Sequence, residues 1–555
     1  MGAWDSVKSS TVFPEFGVGS KSAGTRPSIA ERALAPDSNA PGLLREVRDS
    51  FLTVLFSAQP LDRPAGGEIS MFHPTDRFLF VARVILFLFL MEGVAHASET
   101  SESQGATVDP SSPRNVILII GDGMDDHQIT IARNYLVGAQ GRLTLDSLPV
   151  RSVVQVLTVL EEDPEKSVYV ADSANSATSM ATGGITSRGR LSTTPATDQD
   201  LETIVELAEA AGLRTGLVAT SSITDATPAA FVAHIRMRFC EDPLNMVKVE
   251  FAGMEAEACP ADMISNGGPG SISEQIAASG LEVVLGGGSQ HFDPMTESGE
   301  MSVREQAEQN GFHVVTSGTE LETIPEGTRV MGLFGESTLP ARLRGEDDRE
   351  AEKPSPSFLN RVHWYFGTVE LPEPMECELN PEFGETPSLK EMTDAALEIL
   401  SAGNDKGFFL MVESASIDKQ AHQRKACGAL GELQQLDQAL DSALAFAEEN
   451  PNTLVLVTAD HGHAAQLIPD ESLFARTGIA VYTPGHLVRL KGADGSNIAV
   501  NYATNDFFAE EHTGVQVPLL ANEVGQGRVP AMLTQPEIFT LMTDYLGLSN
   551  GSGAR

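Results

Sequence analysis

The sequence predicts an α/β fold: a doubly wound, largely parallel central sheet with helices on both faces, forming a single catalytic domain with peripheral insertions. Three observations carry this. Short unbroken apolar runs, Asn115 to Ile120, Phe408 to Val412 and Thr453 to Thr458, suit strands buried on both faces rather than one. Segments with helical apolar spacing lie between such runs. Each run also ends in a polar loop bearing Asp or Glu, where open parallel sheets place their sites.

In chain order, Asn115 to Ile120 leads into Gly121-Asp122-Gly123, a strand followed by a polar loop. The stretch Val170 to Thr178 sets Ser173 at the mouth of a helix. Leu201 to Ala211 reads as a helix after Asp200 and stops at Gly212, and Thr215 to Ala219 reads as the next strand. Residues 286 to 385 are less regular and are assigned to peripheral loops and insertions. Phe408 to Val412 runs into Glu413; the helical stretch Leu430 to Glu449 joins it to Thr453 to Thr458, which runs into Asp460. A last helix, Pro536 to Leu548, opens on a proline tolerated in the first turn and ends near Gly547.

The chain has 555 residues, 41% of them hydrophobic, enough for a large core. A net charge of -40 argues against nucleic acid or an anionic membrane as partner. Residues 71–97 have the order of a secretory signal: Met71, basic Arg77 and Arg83, an apolar run from Val84 to Met91, then Ala95-His96-Ala97. That run is too short for a stable membrane span, so an exported protein, periplasmic or secreted, is expected. Residues 1–70 precede the signal and are expected to be disordered or to lie before the true start at Met71. Residues 98–113 form a linker, 114–548 the catalytic domain and 549–555 a tail. Four cysteines in an exported chain predict disulfides; sequence proximity favours Cys240 with Cys259, leaving Cys377 with Cys427.

The chemistry lies in five segments. Asp418 and His422, four apart, share a helical face, and His512 in Glu511-His512-Thr513-Gly514 completes a zinc-type set. Asp460 and His461 with Asp122 make a second set, and Asp122, Thr227 and Glu413 offer the oxygen ligands magnesium prefers. Paired cations can clamp the attacking and leaving oxygens of an in-line displacement. Arg238 offers a planar fork for a phosphoryl group and Ser173 a nucleophile. Each residue also has a plainer reading. Asp122 fits a turn, Asp225 a cap for a helix opened at Thr227-Pro228, and Arg238 an ion pair; His234, His313, His363 and His486 fit surface or satisfied polar roles. The coincidence of five such segments at strand ends favours the catalytic reading.

At these residues the chain resembles the bacterial-type alkaline phosphatases over residues 114–548. The resemblance rests on Ile120-Gly121-Asp122-Gly123-Met124, Asp172-Ser173-Ala174, Asp225 to Ala230, Val412 to Gln420, Thr458-Ala459-Asp460-His461 and Glu511 to Gly514, in family order. It implies a phosphomonoesterase that carries phosphate on Ser173, binds it through Arg238 oriented by Asp172, and holds two zinc ions and one magnesium ion. It further implies that Asp225 and Lys419 act through bound waters, that His463 supports Asp418, that substrates are varied small phosphate monoesters, and that the chain forms a homodimer. Asp225 and Lys419, like the cysteine pairing, resemble the enterobacterial subtype. Three positions depart from the pattern: Asp125, where glycine is usual; Asn175, where a small residue is usual; and Gly462, where alanine is common. Rival readings are a phosphodiesterase or sulfatase of the same superfamily, or a non-catalytic phosphate- or zinc-binding protein. Thr227 and Glu413 oppose the diesterase, the lack of a C/S-x-P-x-R setting opposes the sulfatase, and Ser173 with Arg238 opposes the binding protein.

Overall fold

The computed structural model describes residues 112–548 apart from 252, 253 and 257. The upstream segment, the signal segment, nearly all of the linker and the tail expected from sequence lie outside the described residues. The central sheet has ten strands: β1 Asn115–Gly121, β2 Val150–Gln155, β3 Arg214–Ser222, β4 Val283–Gly287, β5 Phe312–Val315, β6 Arg329–Leu333, β7 Phe408–Ser414, β8 Thr453–Ala459, β9 Val517–Ala521 and β10 Met532–Thr534. Their order is β10-β2-β9-β8-β1-β7-β3-β4-β6-β5, and only β9 pairs antiparallel with its neighbours.

Every residue of β1, β7 and β8 is buried, so both faces of these strands are covered. Helices α1 Asp126–Val137, α2 Ser173–Thr182, α3 Ile204–Ala211, α4 Leu389–Ser401, α5 Ser416–His422, α6 Ala426–Glu449 and α7 Gln535–Leu546 supply much of the cover. α6 packs on β1, β7 and β8 with α4 beside it, and α7 packs on β1 and α2. Each large aliphatic side chain buried this way contributes roughly 1.5–3 kcal/mol of transfer free energy. Cys240 is bonded to Cys259 and Cys377 to Cys427. Among the described residues, no helix is long and apolar enough to cross a membrane.

Several boundaries differ from the sequence expectation for local reasons. α3 starts at Ile204, because Thr203 and Glu206 form a reciprocal capping box while Leu201 N–H bonds instead to Ser192 O. α6 starts earlier, at Ala426, and β3 runs on to Ser222. α7 is capped by Thr534 with Glu537, so it begins at Gln535 and ends at Leu546 before left-handed Gly547. The larger correction concerns residues 286–385. They are not all peripheral, since β5, β6 and the end of β4 extend the central sheet at one edge. These strands have only four or five residues, and Gly332 and exposed His313 interrupt the apolar runs that mark the longer ones.

Candidate active site

Of four adjacent strands, β8, β1 and β7 end level with one another and β3 runs slightly past them. Gly121 is in register with both Ala459 and Ser414, and Glu413 with Ala219. The loops that leave these ends therefore meet, and Asp122, Asp460, Glu413 and Thr227 come together from distant parts of the chain. Glycine at 123 permits the closest approach. It has φ +69° and its N–H donates to Asp460 Oδ1 at 3.0 Å, while a Cβ there would lie 3.2 Å from Asp418 Cβ.

Ser173 is the first residue of α2, buried at the helix N-terminus, where backbone N–H groups and the helix dipole favour an anion. Its Oγ lies 3.5 Å from both carboxylate oxygens of Asp122 and 3.3 Å from His461 Nε2. The helix start is doubly held. Asp172 Oδ1 accepts Asn175 N–H at 3.1 Å, Asn175 Oδ1 accepts Asp172 N–H at 2.9 Å, and Asn175 Nδ2 donates to Leu157 O at 3.1 Å. Asn175, the unusual residue, thus reinforces the turn that presents Ser173.

Arg238 Nη2 donates to Asp225 Oδ1 at 2.7 Å, and its Nη1 lies 3.6 Å from Asp172 Oδ2. Lys419 Nζ pairs with the other oxygen of Asp225. Burial opposes the charge on Asp225, but the Lys419 and Arg238 cations hold its carboxyl well below the usual range. Asp225 also caps the single helical turn Ala226–Ala229, accepting from Ala226 N–H at 2.7 Å. Asp225 thus acts as a helix cap and at the same time bridges Arg238 and Lys419.

Asp418 gathers three imidazoles. His422 Nε2 is 3.3 Å from its Oδ2, and His463 Nε2 and His512 Nε2 lie 3.2 and 3.3 Å from its Oδ1. Ring tautomers follow from the opposite nitrogens. His512 Nδ1 donates to Ala171 O at 2.9 Å and His422 Nδ1 donates to Glu510 O, so in the neutral rings that a cation would meet, the Nε2 lone pairs would face each other 3.0 Å apart. His463 is reversed: its Nδ1 accepts Ala464 N–H at 2.8 Å, which puts its proton on Nε2, toward Asp418. On the other side, His461 Nε2 lies 3.4 Å from both Asp122 Oδ1 and Asp460 Oδ2.

These groups fit divalent cations. Asp418 Oδ1, Asp460 Oδ2 and Thr227 Oγ1 are buried without a well-formed hydrogen bond, a costly state that a cation relieves. Facing imidazole lone pairs and crowded carboxylates have the same need. Burial, then the charges of Asp460 and Asp418, push the Asp122 carboxyl well up; burial and Asp225 push Glu413 up to about 7; burial raises Asp460 to about 6. Donor atoms of Asp418, His422, His463 and His512 converge as one group, and those of Asp122, Asp418 and His461 as another. His463 differs from the other two imidazoles of the first group in that its Nδ1 already accepts Ala464 N–H.

Comparison with known proteins agrees with this geometry. The alkaline phosphatase family profile matches residues 113–524. The chain belongs to the alkaline phosphatase family. It is 38% identical over 443 residues to alkaline phosphatase of Escherichia coli strain K12, covering 78% of this chain and 86% of that protein. It is 39% identical over 464 residues to streptomycin-6-phosphate phosphatase of Streptomyces griseus, covering 81% and 94%. In fold it is similar to alkaline phosphatase from the Antarctic bacterium TAB5, with a TM-score of 0.57 and 22% identity over 79% of this chain and 100% of that one. The Thermus thermophilus enzyme gives a TM-score of 0.56 at 22% identity over 81% and 96%. Membership makes this alkaline phosphatase relative a metal-dependent phosphoric monoester hydrolase.

The other two departures from the family pattern face each other. Asp125 Oδ1 caps α1, accepting from His127 N–H at 2.9 Å and Gln128 N–H at 3.1 Å, and its Oδ2 accepts His463 N–H at 3.3 Å. A Cβ at Gly462 would stand 3.2 Å from that same Oδ2 and 2.2 Å from Val515 Cγ2. The glycine at 462 is thus crowded by Val515 and Thr513 and, less closely, by the carboxylate at 125. Sequence reading missed Ser221, whose hydroxyl donates to Glu413 Oε2 at 2.8 Å, and Gln535, whose amide donates to Asp460 O at 2.6 Å. Neither has a local signal, since serine ending a strand and glutamine opening a helix are ordinary.

Proposed function

We propose that this alkaline phosphatase family member hydrolyses phosphate monoesters through a phosphoserine at Ser173, with Asp418, His422 and His512 holding one zinc, Asp122, Asp460 and His461 a second, and Asp122, Thr227 and Glu413 a magnesium. The observation that carries it is the Ser173 hydroxyl lying within 3.5 Å of Asp122 and 3.3 Å of His461, at the meeting of the donor sets. Bound cations there supply Lewis-acid neutralisation of the developing oxyanions and ease deprotonation of the nucleophile. Arg238, steadied by Asp225 and facing Asp172, offers its guanidinium to two phosphoryl oxygens. Ser173 Oγ forms the bond to phosphorus as the ester P–O bond breaks, and the proton lost by the hydroxyl is balanced by the one the departing alcohol gains. Water then cleaves the Oγ–P bond, restoring the serine and releasing inorganic phosphate. Asp225 and Lys419 act on phosphate and magnesium through water, and His463 orients Asp418.

Residues 114–548 form the catalytic unit of an exported protein, and two copies form a homodimer; light scattering of the mature protein tests the latter. The Streptomyces griseus relative, a streptomycin-6-phosphate phosphatase, puts streptomycin 6-phosphate among the esters to survey. The decisive assay compares p-nitrophenyl phosphate with its bis-ester, with and without EDTA. A dominant, chelator-sensitive monoester rate is expected, and comparable diester turnover would contradict the assignment.

A further inference from the structure

Glu241 and Asp242 follow disulfide-bonded Cys240, close beyond Arg238, and the chemistry above uses neither. Glu241 Oε2 accepts the Thr224 hydroxyl at 2.5 Å, and His291 Nε2 lies 3.2 Å from that same oxygen. His291 Nδ1 faces Asp242 Oδ2 at 2.8 Å. Asp242 is otherwise satisfied, by Leu244 N–H at 2.9 Å, Asn245 N–H at 3.1 Å and Asn245 Nδ2 at 3.0 Å. With a carboxylate oxygen at each ring nitrogen, only the imidazolium form of His291 donates to both. The Gln290 amide, 3.2 Å from Nε2, can turn its oxygen to the same proton. Burial works against that cation, but the hydrogen bond to Asp242 and the Glu241 charge raise the His291 pKa overall. Burial pushes the Glu241 carboxyl up, and so does the Asp225 charge; the His291 cation opposes both.

The line Asp242, His291, Glu241, Thr224 ends on the loop that carries Asp225 and Thr227. Glu241 is thus a partly buried negative charge beside the groups that aim Arg238. We propose that His291 is a charge-compensating positioning residue for the phosphate site: it neutralises Glu241 and clamps it on Thr224, so that Arg238 stays available to a phosphate dianion. The inference rests on Arg238 as the phosphate-binding group. An uncompensated carboxylate there would both attract the guanidinium and repel the dianion.

The test uses the metal-loaded protein and four variants, H291A, E241Q, H291A/E241Q and R238A. At near-neutral pH, where His291 with its raised pKa carries the imidazolium charge, the inhibition constant of inorganic phosphate, kcat and KM for p-nitrophenyl phosphate, and the thermal midpoint are measured. H291A is expected to weaken phosphate binding and raise KM by about tenfold, with kcat within about twofold. E241Q removes the charge that needs compensating, so it is expected to tighten phosphate binding and, in the double variant, to rescue most of the H291A loss. H291Q, which keeps a donor without the charge, is expected to behave like H291A and replaces it if H291A does not fold. Normal phosphate inhibition in folded H291A, or a double variant as weak as the single one, would overturn the proposal. Unchanged inhibition in R238A would instead sink the reading of Arg238 on which it stands.

Discussion

Asn175 shows how one side chain can govern a nucleophile it does not touch. Its amide closes a capping box with Asp172 and ties the α2 start to Leu157, so it fixes both the Ser173 helix and the carboxylate facing Arg238. N175A is expected to cost about 1 kcal/mol of stability and to lower kcat several-fold with little change in KM. Steady-state kinetics beside a denaturant melt check this, and an unchanged kcat would show that the box is only structural. The pair Asp125 and Gly462 makes a second prediction. G462A brings a methyl group against Val515 and the Asp125 carboxylate, so it is expected to destabilise by roughly 1–3 kcal/mol; adding D125G and V515A should recover much of the loss in the same melt. If G462A alone is as stable as the parent, the two departures are independent.

Among the elements, the segment Cys240 to Cys259, which begins two residues after Arg238, is closed by its disulfide, with a sequence separation of 19. Removing both sulfurs by C240S/C259S is expected to cost about 2–4 kcal/mol and to raise KM more than it lowers kcat, because Arg238 lies just before the bridge; unchanged KM in the folded variant would separate bridge from site. How much of this was legible follows from how local each signal is. Long buried strands such as β1, β7 and β8 announce themselves, and so do the ligands at their ends. Strands β5 and β6 do not, because Gly332 and His313 break their short runs and only pairing against β4 makes them sheet. Asp122, Ser173, Thr227, Glu413, Asp418, His422, Asp460, His461 and His512 were readable as candidates from residue type at strand ends and from family motifs. The orientation of His463 and the Glu241–His291–Asp242 line were not, because each depends on which individual ring and carboxylate atoms meet once the chain has folded.

For the whole molecule, the crowded acidic pocket links stability, pH and cations. In metal-free protein Glu413, near pH 7, and Asp460, near pH 6, hold protons that an unfolded chain releases near pH 4. The folded state therefore binds more protons across that window, and stability falls as pH rises through it. Although burial opposes it, the Asp418 charge raises His512 to about 9, and its contribution is likewise lost as pH rises from about 6.5 through 9. Asp225, depressed well below the usual carboxylate range, loses its contribution only at much lower pH. His461 and His463, lowered by burial, work the other way as pH rises through about 6.5. The EDTA-treated protein is thus expected to melt at lower temperature at pH 9 than at pH 7, whereas zinc and magnesium restore it most at the alkaline end. An apo midpoint that climbs between these pH values would oppose this account. The most direct test of the central claim, that ligands from four strand ends make one pocket in which cations activate Ser173, is acid-quenched phosphorylation. The metal-loaded protein is mixed with a labelled monoester, stopped in acid and mapped by mass spectrometry. Phosphate on Ser173, absent after EDTA treatment and from S173A, is the predicted result; turnover with the label on another residue, or undiminished by EDTA, would contradict it.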